Sequence, residues 1–399
     1  MLMTTSCPGD EMTTALKGLK VLDFTQMMTG PMATMMLADS GADVIKVEQP
    51  EGDPFRKSGE TTLGGDGVFF LAINRNKRGI TLDLKSDSGK EAARALAAGA
   101  DVLVENFRPG FTEKVGLSYE ELREINPRLI YCSITGFGHS GPDAKRPALD
   151  QIIQAMSGLM QITGTPESGP LKTGFPFSDL ATALIATTGI LTAMHARERT
   201  GEGQRVDLSM MDASIFSLVP RDVYFDATGK TPPLMGNEHW DIVPNNTYKT
   251  LDDRDIMIIT INDKFWHILC EGLGASQLKT DPRFATKNAR LNNRQACDAE
   301  LAEIFATRTL AEWDQALSAV GAIYGPVRTW PEVFSDQHTV DNLLKTLEHP
   351  KAGTFKVINN PLQFSATPNE IVMAPPTLGQ HNDTILTGGC GTAWQSGNV

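Results

Sequence analysis

The sequence predicts an α/β protein: a parallel sheet covered on both faces by helices, with a smaller α+β domain carried in the second half of the chain. Three observations predict it. Short, continuously apolar β-branched runs alternate with helical patterns through the first 150 residues, as strands buried on both faces do. Single cores stop growing at roughly 250–300 residues, so 399 residues imply a second domain or a large excursion. Pro220, Gly229, Pro232, Pro233, Gly236 and Pro244 crowd one stretch, which marks a crossing between domains.

Taken in order, Lys20 to Phe24 reads as a buried strand. Pro31 opens a helix that ends at Gly41, the expected placement of those two residues. Val44 to Val47 is the second strand and Ile80 to Leu84 the third. Lys90 to Ala98 is helical and stops at Gly99, and Asp101 to Val104 is the fourth strand. Ser118 to Glu121 is a capping box that starts another helix, followed by a fifth strand from Leu129 to Thr135. An Ala/Thr-rich helix runs from about Leu180 to Arg197 into the turn Thr200-Gly-Glu-Gly203. Past the crossing, Arg254 to Ile261 alternates like a strand. Lys264 to Gly272, Asn292 to Thr307 and Thr309 to Val320 read as helices, the last behind a second capping box. The remainder is loop-rich. Ligands of such sheets gather at the loops after the carboxyl ends of the strands.

Composition narrows the function. Apolar residues make up 41% and charged residues 21%, and 36 Lys+Arg against 48 Asp+Glu give a net charge of −12. That balance argues against nucleic acid or an anionic membrane as partner. No stretch reads as the run of ~18 apolar residues a membrane span needs, and Met1 to Met12 lacks the apolar core of a signal peptide. Five scattered cysteines read as reduced thiols, so the expected location is the cytoplasm. The seven histidines stand singly, with no metal-binding spacing.

Candidate chemistry sits on a few segments. Gly136-Phe-Gly-His-Ser-Gly141 matches the dinucleotide fingerprint formally. Pro142 and a polar stretch follow where a helix should begin, so it is read as a turn. Arg75-Asn-Lys-Arg78 concentrates positive charge just before the third strand and offers a seat for phosphates, against the simpler reading of a solvated loop. Glu105-Asn-Phe-Arg-Pro-Gly110 follows the fourth strand and suits a nucleotide or a pantetheine arm. Asp179 begins a helix of small residues, as an N-cap or as a nucleophile kept ionised by the helix terminus. Asp23, Asp150 and Asp212 compete with it, and spacing does not choose among the four. There is no Gly-x-Ser-x-Gly elbow for a serine hydrolase.

Together these segments resemble the class III CoA-transferases, the formyl-CoA and carnitine CoA-transferase family. The likeness runs from about Leu16 to about Thr384. It rests on Gly18-Leu-Lys-Val-Leu-Asp-Phe24, Gly41-Ala-Asp-Val-Ile-Lys-Val-Glu48, Asn74-Arg-Asn-Lys-Arg78, Leu82-Asp-Leu-Lys85 and Glu105-Asn-Phe-Arg-Pro-Gly110. Gly201-Glu-Gly-Gln204, Asp281-Pro-Arg-Phe284 and Gly325-Pro-Val327 continue it. The resemblance implies a Rossmann-like large domain from both chain ends, residues 1–220 with 330–399, a small domain at 225–325, and an interlocked homodimer. It implies Asp179 as nucleophile, and CoA contacts at Gln26, Met27, Met28, Thr29, Asn74, Lys77, Arg78, Asn106, Phe107 and Lys114. Coenzyme A enters as an acyl-CoA co-substrate with a small carboxylate partner, and no tightly bound cofactor is expected. Succinyl-CoA is the expected donor.

Two departures shape that expectation. Formyl-CoA transferases carry an all-glycine loop where this chain has Gly236-Asn-Glu-His239. The related α-methylacyl-CoA racemases place a His directly before an Asp for proton transfer, and here that position is Leu149, before Asp150. Leucine exchanges no proton, which favours a transferase over a racemase; a non-catalytic CoA-binding protein is the third reading.

Overall fold

The structure, a computed structural model, describes residues 14–386 and 393–394. The chain divides into two compact units. One takes the chain up to Leu159, Lys172–Gly229 and the part from Gln337 onward; the other comprises Met160–Leu171 and Lys230–Asp336.

The first unit is built on six parallel strands: β1 Lys20–Asp23, β2 Asp43–Glu48, β3 Lys77–Thr81, β4 Val102–Glu105, β5 Ile130–Thr135 and β6 Arg205–Ser209. Their order is β6-β5-β4-β1-β2-β3, and every neighbouring pair is parallel. The order reverses between β1 and β4, the crevice where open α/β sheets take ligands. Successive side chains of a strand point to opposite faces, so two cores form. Leu22, Ile45, Leu103 and Tyr131 meet helices α2 (Asp87–Ala98) and α3 (Tyr119–Ile125) on one face. Val21, Val44, Val104 and Ile134 meet α1 (Thr29–Asp39) and α5 (Phe177–Thr200) on the other; α4 (Asp150–Met156) lies between β5 and α5 in sequence. The Ser118 capping box is present, with Glu121 closing it.

Three elements differ from the sequence reading. The third strand begins at Lys77, not Ile80, and ends at Thr81, so Leu82–Lys85 is the loop beyond its carboxyl end. The sixth strand was hidden behind the Gly201–Gly203 turn because its alternation, Arg205-Val-Asp-Leu-Ser209, is short and charged. The loop-rich end contains a hairpin, Leu344–His349 against Gly353–Ile358. No helix follows Gly136–Gly141 until Asp150, as its reading as a turn requires.

Helix α5 also corrects an expectation. Against the reading that no segment is suited to a membrane, its 24 residues are long and apolar enough to cross one by length and composition. In the fold, Ala183, Ala186, Ile190 and Ala193 lie on the sheet. The small side chains let α5 approach closely, while Leu184 and Leu191 face outward.

The second unit has a three-stranded antiparallel sheet of Asn245–Lys249, Asp255–Ile259 and Tyr324–Pro326. Helices Asp263–Gly272, Arg294–Phe305 and Leu310–Val320 bury Trp266, Phe305 and Trp313 against it. The second capping box, Thr309 with Glu312, opens the last of these.

Under the carboxyl end of β1 lies a buried ion network. The Lys77 ammonium donates to Asp23 Oδ2 (3.0 Å), the Pro31 carbonyl (2.8 Å) and Asn74 Oδ1 (2.8 Å). Lys46 donates to the Thr25 carbonyl (2.9 Å) and Asp53 Oδ2 (3.0 Å). Asp23 also accepts from the Thr25 N–H and from the Thr25 and Thr34 hydroxyls. Burial alone would raise its pKa, but Lys77, Lys46 and the two hydroxyls hold it at about 2. Removing one member of such a group strands a buried charge, at about 3–5 kcal/mol. Lys77→Met is therefore expected to destabilise the protein by that amount in denaturant unfolding; a loss within about 0.5 kcal/mol, the range of ordinary surface changes, would contradict the network.

Candidate active site

The β1–α1 loop, Phe24 to Met28, connects two features. At one end, Thr25 and Gln26 line a cavity of about 440 Å³ walled by the loops after β1, β2, β3 and β4, with Gln49, Leu82, Leu84, Lys85, Phe107 and Arg108 among its lining. That volume suits a small-molecule site. At the other end, Thr29 donates its hydroxyl to Asp179 Oδ1. Two residues, Met27 and Met28, separate Gln26 from Thr29, three Cα steps that span at most about 10 Å.

The loop is held from several sides. Asn106 grips Gln26 through both backbone groups, accepting its N–H and donating to its carbonyl, each at 2.9 Å. Asp53 accepts from the Met27 N–H at 3.2 Å. Met27 has φ 64°, a left-handed conformation that costs a non-glycine residue about 1–3 kcal/mol and persists where its surroundings fix it. A Cβ on Gly30 would come within 2.3 Å of Thr25, so only glycine lets the loop fold back so closely.

Asp179 is the third residue of α5, not its cap. The cap position is Pro176, which offers no side-chain acceptor. Asp150 takes that role from outside: its Oδ1 accepts from the Ser178 N–H (2.8 Å) and the Asp179 N–H (3.3 Å). Gln154 fixes Asp150 through Oδ2 at 2.6 Å and is itself held by the Thr173 N–H at 2.9 Å. With the helix terminus satisfied by Asp150, the Asp179 carboxylate is left for chemistry. Burial pushes its pKa up to about 6; the Thr29 hydrogen bond opposes the rise and the nearby Asp150 charge adds to it. Asp23 is locked in the ion network, and Asp212 lies in the first turn of the helix Met210–Phe216.

The expected CoA contacts separate into groups. Gln26 and Phe107 line the cavity. Met27 and Met28 form the loop beside it, Met28 as the residue before α1, and Thr29 reaches Asp179. Asn106 positions Gln26. Lys114 is exposed on the short helix Phe111–Val115, whose first residue lines the cavity. Asn74, Lys77 and Arg78 require correction. Asn74 and Lys77 are fully buried and bonded to one another, leaving no ammonium proton for a phosphate. Arg78 makes a two-pronged pair with Asp43 (2.9 and 2.6 Å) and donates to the Ala393 carbonyl, at the amino end of the sheet. Placing the strand at Ile80 put Lys77 and Arg78 in a loop; they open the strand itself, and Asn74 follows the helix Val68–Ile73.

The positive groups that do face the cavity are Lys85 and Arg108, both exposed. Sequence reasoning quoted Leu82-Asp-Leu-Lys85 without giving it a role. The signal was available, because β-branched residues stop at Thr81. Among the described residues, no group of three or more His, Cys, Asp or Glu is placed to hold a metal ion.

Lys85 and Arg108 thus face the cavity at the switch point, and the two residues Met27 and Met28 join its edge to Thr29, which bonds the half-buried Asp179. The family model described as CoA-transferase family III matches residues 16–382. The chain belongs to CoA-transferase family III. These are enzymes that transfer CoA between an acyl-CoA and a carboxylate. Among curated relatives, a mouse succinyl-CoA:glutarate CoA-transferase is 36% identical over 93% of this chain and 85% of its own. A succinyl-CoA:mesaconate CoA-transferase of Haloarcula hispanica is 39% identical over 93% and 96%. Among solved structures, a CAIB/BAIF family protein from Brucella suis superposes with a TM-score of 0.86 at 38% identity, covering 94% of this chain and 99% of its own.

The raised pKa of Asp179 gives a testable pH dependence. For a nucleophile at Asp179, ionised above about 6, kcat/KM for CoA transfer is expected to fall as pH drops through that value. Asp150→Asn removes the neighbouring negative charge and is expected to move the acid limb to lower pH. An acid limb that stays in place, or moves upward, would show that Asp150 does not act on Asp179 through its charge.

Proposed function

We propose that this enzyme moves CoA from succinyl-CoA to a small dicarboxylic acid through a covalent intermediate on Asp179. The observation that carries the proposal is the freed carboxylate: Asp150 caps α5, and Asp179 stands at the far end of the loop that begins in the cavity. The names of the relatives from mouse and Haloarcula hispanica support the choice of donor.

Exchange between two acids needs no energy input when the thioester's free energy is kept in covalent intermediates. The ionised Asp179 attacks the acyl-CoA carbonyl and expels CoA thiolate, leaving a mixed anhydride. The thiolate then attacks the Asp179 carboxyl carbon and releases the donor acid, leaving an aspartyl-CoA thioester. The acceptor acid repeats the sequence in reverse and leaves as the new acyl-CoA. The nucleophile must be ionised, close to the sulfur and shielded from water that would hydrolyse the anhydride. The half-buried position of Asp179 serves the last need at the cost of a raised pKa. Leu149, exposed before Asp150, offers no base for a racemase.

The nucleotide end of CoA is assigned to the cavity, with Lys85 and Arg108 on its phosphates and the pantetheine arm along Gln26–Thr29. Of the four carboxylates that line the cavity, Glu48 and Asp53 are buried and Glu51 and Asp83 are exposed beside the basic pair. Asp83 is turned to the Lys85 N–H at 2.9 Å, and Glu51 opposes the basic pair. Phe175, Phe216, Val219, Val223 and Phe225 are exposed on and around α5 and the helices after β6. Such a face asks for cover, which supports an interlocked homodimer. The buried free thiols Cys132, Cys270 and Cys297 support a reducing compartment, the cytoplasm.

With succinyl-CoA and no acceptor, the wild-type chain is expected to gain a CoA-sized mass on the peptide holding Asp179, removable by hydroxylamine. Asp179→Ala is expected to lose both the adduct and turnover while staying folded; transfer near the wild-type rate would reduce Asp179 to a structural residue. Lys85→Ala and Arg108→Ala are each expected to weaken CoA binding by about 1.5–3 kcal/mol, the range for a hydrogen bond to a charged group. Calorimetry that finds both unchanged would move the phosphates elsewhere.

A further inference from the structure

Thr29 is the first residue of α1 and is 4% exposed. Its hydroxyl points away from its own helix to Asp179 Oδ1; the Met210 thioether, 4.0 Å away, is a weaker neighbour. Asp179 Oδ2 accepts no hydrogen bond among the described residues. The two oxygens of the nucleophile are therefore unlike: one is bound by a hydroxyl and the other is open to attack a substrate.

We propose that Thr29 is a catalytic hydroxyl that stabilises the oxyanion formed on the enzyme's own Asp179 carboxyl, and so assists both attacks on Asp179 Cγ but not the attack on acyl-CoA. The proposal rests on Asp179 being the covalent nucleophile. In the first step the open Oδ2 bonds to the acyl carbon and the carbon–sulfur bond breaks, so negative charge leaves Asp179. In the second, thiolate sulfur bonds to Asp179 Cγ and the carbonyl pair moves onto Oδ1. Collapse then breaks the Cγ–Oδ2 bond, and the donor acid departs with that oxygen. In the third, an oxygen of the acceptor carboxylate bonds to Cγ, Oδ1 again takes the pair, and collapse expels thiolate. In the fourth, thiolate bonds to the acceptor's carbonyl carbon and the bond from that carbon to the bridging oxygen breaks, which restores the Asp179 carboxylate. No proton is gained or lost at any step.

A tetrahedral oxyanion forms on Oδ1 only in the second and third steps, where the ground state is a neutral anhydride or thioester; in the fourth, Oδ1 regains only its share of the carboxylate charge, the reverse of the first. A donor already aimed at that oxygen binds the transition state better than the ground state and speeds those steps. In the first step the order is reversed: the hydroxyl stabilises the starting carboxylate, which loses charge as it attacks. Removing the hydroxyl should therefore act with opposite sign on the first and second steps. A merely structural Thr29 cannot do this, because displacing Asp179 would slow both.

The test is single-turnover rapid quench with succinyl-CoA and no acceptor, at a pH well above 6 so that Asp179 is ionised in every variant. Mass spectrometry then separates the acyl adduct from the CoA adduct. In Thr29→Val the acyl adduct is expected to form at the wild-type rate or faster. Its conversion to the CoA adduct is expected to slow about a hundredfold, the usual loss for one oxyanion donor, so the acyl adduct accumulates. Thr29→Ser, which keeps the hydroxyl, should restore conversion; Thr29→Ala must show the same split as Thr29→Val and serves if that variant does not fold. Equal slowing of both phases, or no change in conversion, overturns the proposal and leaves Asp179 as nucleophile. A wild-type chain that forms neither adduct overturns the covalent reading, and this proposal with it.

Discussion

Everything at the site hangs from the buried charges beneath the first strand. Asp23, Lys77, Lys46 and Asp53 fill one another's hydrogen bonds, and the bonds left over go to the β1–α1 loop and the first turn of α1: to Thr25 through Lys46 and Asp23, to Met27 through Asp53, and to Pro31 in α1 through Lys77. Buried ion pairs are poor sources of net stability, since desolvation consumes most of their attraction. Their use here is positional. A loop with a non-glycine residue in the left-handed region and a glycine pressed against Thr25 has little reason to keep its shape unaided. Held at three points by groups that cannot leave without exposing a bare charge, it keeps one shape.

That shape sets a division of labour among the charged residues. The cations deepest in the fold, Lys46 and Lys77, hold backbone; the exposed cations, Lys85 and Arg108, remain for a ligand. The carboxylates divide likewise. Asp150 satisfies the helix terminus so that Asp179, two residues into α5, does not. A carboxylate spent on capping would be a poor nucleophile, because hydrogen bonds from two backbone amides would stabilise the very charge it must give up. Asp150 accepts those two bonds, and its own charge raises the pKa of Asp179, which makes the proposed nucleophile more basic as well as free.

Much of this was legible in the sequence. The alternation of apolar runs and helices gave the parallel sheet, and both capping boxes mark helices that exist, at Ser118 and Thr309. The switch-point rule directed attention to the loop after β4, where Phe107 and Arg108 line the cavity. The third strand was harder. Lys77 and Arg78 look like loop residues because a lysine inside a sheet is expensive, and only the three-dimensional partners Asp23, Asn74 and Asp43 make them affordable. A strand that opens on paired charges carries no local sign of the pairing. The same blindness hid the Asp150 cap, since Asp150 and Ser178 are joined only in space.

The most direct test of this account is a crystal structure of the protein with CoA bound. The account predicts adenosine in the cavity walled by Gln49, Leu84 and Phe107, phosphates on Lys85 and Arg108, the thiol at Asp179, and Lys77 still buried against Asp23. CoA seated away from that cavity, or Lys77 released from Asp23 to reach a phosphate, would contradict it.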